Sequence, residues 1–375
     1  MFALIFLGLL GLVYGYSGWR LIPHLPASLH AAVALALVVL LFLPLLLIFL
    51  RTRPHLVWLA DPLAWVGYLG MGFATFSTIL LVVRDIAGLA LDSFATIEPA
   101  LDARIDLATF GLAIAVTSWG FYQARRTSAV RRINVPIPDL PPALAGLRIA
   151  QFSDLHVGPT IKGRFVARVA DRINAEQPDL IAFTGDLADG SVERLAPHTA
   201  ALAGLSAPLG VYFCTGNHEY YSGIEQWTAH ACQLGFEVLV NEGRLLDRDG
   251  ACIGVAAATD FSAGEIVPAH ASAPDIAHAD IADADLRILL AHQPRSIKAA
   301  SAAGFHLQLS GHTHGGQFVP WNFAVLLQQP YVAGLHKFRD TWIYIHRGTG
   351  YWGPPLRLGA PSEIALLTLT RAHTP

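Results

Sequence analysis

Apolar residues are distributed along this chain in two regimes. Over the first 124 residues they form long unbroken runs; beyond that they come in short runs, each closed by polar residues. The long runs are Met1 to Trp19, Ala31 to Leu50, Pro62 to Val83 and Leu107 to Ala124, none of which holds a charged side chain. Each is long enough to cross a bilayer, so the pattern predicts a four-helix transmembrane domain over residues 1–124. Pro44 predicts a kink, and Gly67, Gly70 and Gly72 are spaced for close helix packing. A cleaved signal peptide fits poorly, because the first run lacks a basic flank and a small-residue cleavage site.

The short runs predict a different architecture. Arg148 to Phe152, Leu180 to Phe183, Val211 to Cys214, Leu286 to Leu290 and Leu307 to Leu309 read as buried strands. Gly243 to Leu246 and Cys252 to Ala256 read as a hairpin around Asp249-Gly250, and Trp342 to His346 and Ile364 to Leu369 as two late strands. Helical spacing intervenes at Phe165 to Ala175, Val192 to Leu205 and Ile224 to Leu234. This alternation predicts an α/β sandwich with helices outside the sheets, over residues 147–375. Residues 125–146 are basic and then Pro-rich, and predict an extended linker. Phe261 to Asp285 has no clear period and reads as a mobile loop near the site, in the position of a substrate cap.

Composition sharpens this picture in three places. The chain of 375 residues is 53% hydrophobic and only 14% charged, too apolar for an ordinary soluble protein, and the excess sits in the long runs. Arg51, Arg53, Arg125, Arg126, Arg131 and Arg132 fall on one side of four spans, Arg20, Arg84 and Arg104 on the other. The positive-inside bias then predicts a multi-pass inner (cytoplasmic) membrane protein with the C-terminal domain in the cytoplasm. A net charge of -3, with no basic groove interleaved with aromatics, argues against nucleic acid as a partner. Cys214, Cys232 and Cys252 are scattered and odd in number, and read as free buried thiols.

The candidate chemistry follows the strands. Ser153-Asp154-Leu155-His156, Thr184-Gly185-Asp186, Gly216-Asn217-His218-Glu219, Ala291-His292-Gln293-Pro294 and Gly311-His312-Thr313-His314 each lie just past a strand end, where α/β folds bind ligands. Asp154, His156, Asp186, Asn217, His292, His312 and His314 mix carboxylate, carboxamide and imidazole donors, which suits Mn, Fe, Zn or Ni better than Ca. They are too many for one metal that keeps an open position, and suit two divalent ions, Mn first among the candidates. Such a pair can clamp a phosphoryl group and activate water. Glycines 185, 216 and 311 read as turn residues. Arg347 and Arg357 follow a strand in a turn-rich stretch; a structural role is the plainer reading, with Arg347 kept as a candidate phosphate contact. Tyr220 and Tyr221 are candidate substrate contacts, and Tyr351 to Pro355 a candidate apolar patch facing lipid. The remaining C-terminal histidines, among them His230, His306 and His346, read as surface or core.

These five motifs, in this order, resemble the calcineurin-like metallophosphoesterases, whose pattern runs D-x-H, G-D, G-N-H-[DE], H and G-H-x-H. With the multi-span N-terminus, they look like the transmembrane branch that includes a UDP-2,3-diacylglucosamine pyrophosphatase of lipid A synthesis. The resemblance implies a four-layer α/β/β/α sandwich and a dinuclear site. Asp154, His156 and His314 would hold one ion, Asn217, His292 and His312 the other, and Asp186 would bridge. It also implies that His218 faces the phosphate as general acid or charge stabiliser, with Glu219 orienting it from behind.

The reading that results is a membrane-anchored phosphohydrolase cleaving a phosphoester or pyrophosphate bond with a metal-bridging hydroxide. Its expected partners are the membrane and a lipid-linked or nucleotide-type phosphate. A broad-specificity phosphodiesterase and a non-catalytic membrane sensor of a phosphate ligand are the alternatives. The sensor sits poorly with a complete ligand set and His218.

Overall fold

The computed structural model describes residues 2–51, 53, 55–92 and 98–372; Met1, at the head of the first expected span, and 373–375, at the tail of the expected catalytic domain, lie outside the described residues. The chain divides into two compact units: Met1–Arg125 with Gly353–Leu356, and Arg126–Trp352 with Arg357–Pro375.

The first unit is helical: α1 (Phe2–Leu21), α2 (Ala27–Arg51), α3 (Val57–Asp92) and α4 (Pro99–Arg125). Among the described residues, two stretches are long and apolar enough to cross a membrane by length and composition, Ala27–Leu47 and Trp58–Ala90. The first and last of the four expected spans form helices that fall outside that pair. Pro44 and Pro62 both lie inside helices. Leu43 and Leu47 of α2 pack on Ala64 of α3, and Gly67 lets Leu43 close in. A charged clasp joins α1, α3 and α4. Buried Asp106 meets Arg20 Nη2 at 2.9 Å, Arg84 Nε at 3.0 Å and His24 Nε2 at 3.0 Å. A carboxylate this buried requires such partners.

Among the described residues, the second unit holds twelve strands in two sheets. In chain order these are β1 (Ala129–Ile137), β2 (Arg148–Phe152), β3 (Leu180–Phe183), β4 (Val211–Phe213), β5 (Glu237–Val238), β6 (Glu242–Arg248), β7 (Ala251–Ala257), β8 (Leu286–Leu290), β9 (Leu307–Ser310), β10 (Gly334–Phe338), β11 (Thr341–Ile345) and β12 (Glu363–Arg371). One sheet runs β1-β12-β2-β3-β4-β5, the other β10-β11-β9-β8-β7-β6. Strand alternation sends Ile149, Leu180, Ala182 and Leu367 of the first sheet against Ile253, Val255, Ile288, Leu290 and Leu309 of the second. Opposite-facing residues pack outward: Ala256, Leu289 and Ala291 meet Ile281, Ala300 and Phe305, while Phe152 stacks on Phe183 with centroids 4.2 Å apart. The result is a mixed α/β sandwich of two sheets.

Two sequence expectations need correction here. Residues 125–146 are not a free linker, because β1 pairs in parallel with β12 over its whole length, from Ala129 opposite Glu363 to Ile137 opposite Arg371. Prolines masked this strand. Pro136 is tolerated because β1 is an edge strand, where a missing N–H costs no ladder bond. The stretch from Phe261 to Asp285 is likewise built rather than open. It forms short turns and a helix, Pro274–Ala279, and buries Ala263, Ala277, Ile281 and Ala284. Those small side chains carry too little periodicity to announce themselves.

The β1 assignment makes a stability prediction. Ile137 is buried in the inter-sheet core, so Ile137→Ala should cost about 2–5 kcal/mol and lower the thermal midpoint of the detergent-purified protein. An unchanged midpoint would return 129–137 to the status of a tether.

Candidate metal centre

Each polar stretch lies at the C-terminal end of its strand. β2, β3 and β4 run parallel in one sheet, β8 and β9 in the other. The two edges are stitched together. Gln151 Nε2 donates to Ser310 O at 2.9 Å, and His292 Nδ1 lies 2.6 Å from Thr184 O. Asp154, His156, Asp186, Asn217, His292, His312 and His314 therefore converge on one buried spot.

They form two clusters. In the first, His314 Nε2 lies 3.0 Å from His156 Nε2 and 3.4 Å from Asp154 Oδ1. In the second, His292 Nε2 lies 3.1 Å from Asp186 Oδ2 and 3.3 Å from His312 Nδ1, which is itself 3.1 Å from Asn217 Oδ1. Asp186 Oδ2 is also 3.7 Å from His156 Nε2, so this one oxygen stands between the clusters. Within the groups Asp154/His156/His314 and Asp186/His292/His312, all donor atoms lie within 4.8 Å of one another.

The donor set fits divalent cations. His156 directs Nδ1 to Asp189 Oδ1 at 3.0 Å and His292 directs Nδ1 to Thr184 O, so their Nε2 lone pairs face inward. Nitrogens and oxygens this close repel unless a proton or cation lies among them. His314 differs. Arg357, a donor only, approaches its Nδ1 at 3.2 Å, which places the neutral ring's proton on Nε2. Loading an ion there has to displace that proton.

The backbone is bent to make this convergence. Asp154, His156, Asp186, His312 and His314 all have positive φ, between 50° and 70°, at roughly 1–3 kcal/mol each for non-glycine residues. Buried carboxylates hold the bends. Glu219 accepts from Asp186 N at 3.0 Å, Leu187 N at 2.7 Å and Gly216 N at 2.7 Å. Asp154 accepts from His312 N through both oxygens, at 3.0 and 3.2 Å. Asp186 Oδ1 accepts from His218 N at 2.9 Å. Gly216 and Gly311 serve close approach rather than a turn: a Cβ would strike Asp186 Oδ1 at the first, and Ser153 Oγ and Asp154 at the second.

Burial and charge pull the titratable groups in opposite directions. Burial raises the Asp186 carboxyl, but the His292, His218 and His156 imidazoles outweigh it and hold it well below the usual range. Burial disfavours the His218 cation, yet Asp186 and Asp189 overcome this and push its pKa up to about 10. His312, desolvated and facing His292, is pushed down to about 3. Burial, with Asp186 nearby, raises Glu219 to about 7 against its three backbone donors.

Several residues sit otherwise than expected. Glu219 does not orient His218, because backbone amides occupy its carboxylate. The partner of His218 is Asp189, whose Oδ1 lies 2.6 Å from His218 Nδ1 and also holds His156. A parallel bridge between Val157 and Ala188 sets Asp189 opposite His156. The only sequence signal was a second carboxylate three positions after Asp186. Arg357 is 1% exposed and donates to the carbonyls of His314, Arg347 and Ala360, so it shapes the site without facing a substrate. Arg347 is half-buried, with its backbone N–H on Glu363. Tyr221 and Trp352 rings stand 5.4 and 5.9 Å from the His218 ring, whereas Tyr220 turns away to His270. His230, His306 and His346 bond Thr199, Arg287 and Gly348 outside the centre. Of the three free thiols only Cys214 is buried; Cys232 is exposed and Cys252 partly so.

Comparison with known proteins agrees with this geometry. Residues 147–316 match the calcineurin-like phosphoesterase family. A bovine transmembrane protein with metallophosphoesterase domain is 36% identical over 68% of this chain and 60% of its own length. An uncharacterized metallophosphoesterase of Helicobacter pylori is 36% identical over 69% of both chains, and YkuE of Bacillus subtilis is 32% identical over 61% of this chain and 81% of its own. The chain spans about three-fifths of the length of the vertebrate relatives it matches.

The shared oxygen of Asp186 predicts unequal metal losses. His292→Ala should lose one ion and Asp186→Asn should deplete both, read by elemental analysis of the purified protein. Equal, single-ion losses would show that Asp186 serves one cluster only.

Proposed function

Because this chain belongs to the calcineurin-like phosphoesterase family, we propose that it is a membrane-anchored, divalent-metal-dependent hydrolase of a phosphoester or pyrophosphate bond. The observation that carries the reading is Asp186 Oδ2, set between two clusters of nitrogen and oxygen donors. Asp154, His156, Asp186 and His314 would hold one ion, and Asp186, Asn217, His292 and His312 the other. Two divalent ions supply Lewis-acid stabilisation of phosphoryl oxygens and lower the pKa of water.

The protein's own groups supply the rest. His218 is the catalytic acid. Its Nδ1 is fixed on Asp189, its cationic form is favoured by two carboxylates, and its ring edge is open enough to meet a leaving oxygen. Glu219 and Arg357 are positioning residues, one for the Asp186 and Gly216 loops, the other for His314. Tyr221, whose ring stands beside that of His218, is a substrate contact, and Arg347 is kept as a phosphate contact from the sequence pattern alone. Burial of Asp154, Asp186 and His292 keeps bulk water from competing for the donors.

The membrane part of the reading rests on the Ala27–Leu47 and Trp58–Ala90 helices and on relatives named as transmembrane proteins. We take α1 and α4 as further spans, Mn²⁺ as the working metal, and the arginines at 125, 126, 131 and 132 as marking a cytoplasmic catalytic domain. Anchoring favours a lipid-linked phosphate, since a soluble substrate gives no reason to hold the site at a bilayer. UDP-2,3-diacylglucosamine is the specific candidate.

Two tests follow. Detergent-purified full-length protein with Mn²⁺ should release UMP from UDP-2,3-diacylglucosamine, and an Asn217→Ala, His218→Ala double variant should not. Hydrolysis of bis-p-nitrophenyl phosphate alone would keep the hydrolase and discard that substrate; turnover of neither would favour a phosphate-ligand sensor. The second test concerns pH. His218 has its pKa raised, so its acid form persists through neutrality and is lost as pH rises. Asp189→Asn removes one raising charge and should move the alkaline limb of kcat to lower pH. An unmoved limb would exclude His218 as the titrating acid.

A further inference from the structure

The segment between His314 and Gln329 departs from the rest of the domain surface. Val319, Trp321, Phe323, Leu326 and Leu327 all stand exposed within it, Phe323 at 66% and Leu327 at 86%. It includes a short helix, Trp321–Val325. The Gln317 carboxamide ties this segment to the backbone of exposed Trp352, bonding its N–H and its C=O at 2.9 Å. No Asp, Glu, Lys or Arg occurs from Ala299 to His336.

This projection is built. Thr313 Oγ1 donates to Val332 O at 2.6 Å across its base. Gln329, buried, donates to Gln293 Oε1 at 3.2 Å and accepts from Arg295 N at 3.2 Å. Gly316 lies so close to Asn322 that a Cβ would meet its backbone. Both ends are thus fixed beside the candidate ligands His314 and His292, and the apolar residues are held outward.

A contiguous apolar surface of this kind is costly in water unless something covers it. We propose that this surface docks into the interface of the bilayer that the chain's own apolar helices enter. Tryptophan, phenylalanine and leucine without charge suit the boundary between headgroups and acyl chains. The absence of basic residues makes the attachment apolar, so it should not need anionic lipid. Only Arg126, Thr127 and Ser128 separate α4 from β1, a length of chain that reaches roughly 10 Å when extended. A phosphate group borne on a lipid would then meet the metal centre without its tails leaving the apolar phase. The proposal rests on the membrane anchoring read above and not on hydrolysis.

The test uses the full chain in phosphatidylcholine vesicles, with Cys232→Ser and Cys252→Ser and a nitroxide at Phe323→Cys or Leu327→Cys. Val39→Cys in α2 is the lipid control and Leu245→Cys the aqueous one; both native side chains are exposed, and thermal midpoints check folding. The labels at 323 and 327 should be relaxed by oxygen and lose relaxation by a water-soluble nickel chelate, at low and high salt alike. Relaxation by the chelate equal to that at 245, with 39 in lipid, would overturn the docking while leaving the anchor intact. Dipolar broadening between two labelled chains would also overturn it, by showing a second copy on the surface. Chelate access at 39 would remove the anchor and the docking together.

Discussion

A carboxylate removed from water must be met by N–H groups or by positive charge, and this site is built from three such carboxylates and a fourth, Asp189, that is partly buried. Asp154 spends its oxygens on His312 N, Glu219 on three backbone amides, and Asp189 on two imidazoles. Asp186 takes one amide on Oδ1 and leaves Oδ2 among imidazoles. The bonds to His312 N and Asp186 N hold strand-end loops at residues with positive φ. The sheet supplies the places from which the loops start; the carboxylates decide where they stop. The same requirement appears in the helical unit, where Asp106 is met by Arg20, Arg84 and His24.

The centre was legible in sequence because its residues are local: short polar stretches, each directly after an apolar run that had to be a strand. Asp154, His156, Asp186, Asn217, His292, His312 and His314 all come together in the folded chain. What escaped were relations between distant segments. Nothing near Glu219 indicates that its carboxylate will reach back to Asp186 N and Leu187 N. Asp189 gains its place from the Val157–Ala188 bridge, a tertiary fact. β1 was hidden by its prolines and by a partner, β12, more than two hundred residues away. The Phe261 to Asp285 stretch was hidden by the small size of its buried side chains. In the helical unit, apolar runs marked the helices well, while the inward-facing clasp of charges at their ends left no periodic trace.

Two kinds of surface meet near the candidate metal centre. One is the polar, buried floor of ligands. The other is the rim, where Tyr221, Trp352 and the projection from Val319 to Leu327 present aromatic and aliphatic side chains. On the reading proposed above, such a floor and rim would suit an amphiphile, with the phosphate at the ligands and the hydrocarbon at the rim.

Asp189 has a consequence of its own. One carboxylate oxygen faces both His156, a candidate ligand, and His218, a candidate acid. A ligand that draws electron density from His156 strengthens that ring's N–H toward Asp189 and weakens the carboxylate's hold on the other ring. By reciprocity, whatever removes the proton from His218 leaves Asp189 freer to hold His156. Occupancy of the inner centre and ionisation at its edge are therefore two ends of one balance, with Asp189 as its pivot. An enzyme so arranged would have its acid adjusted by its own cations.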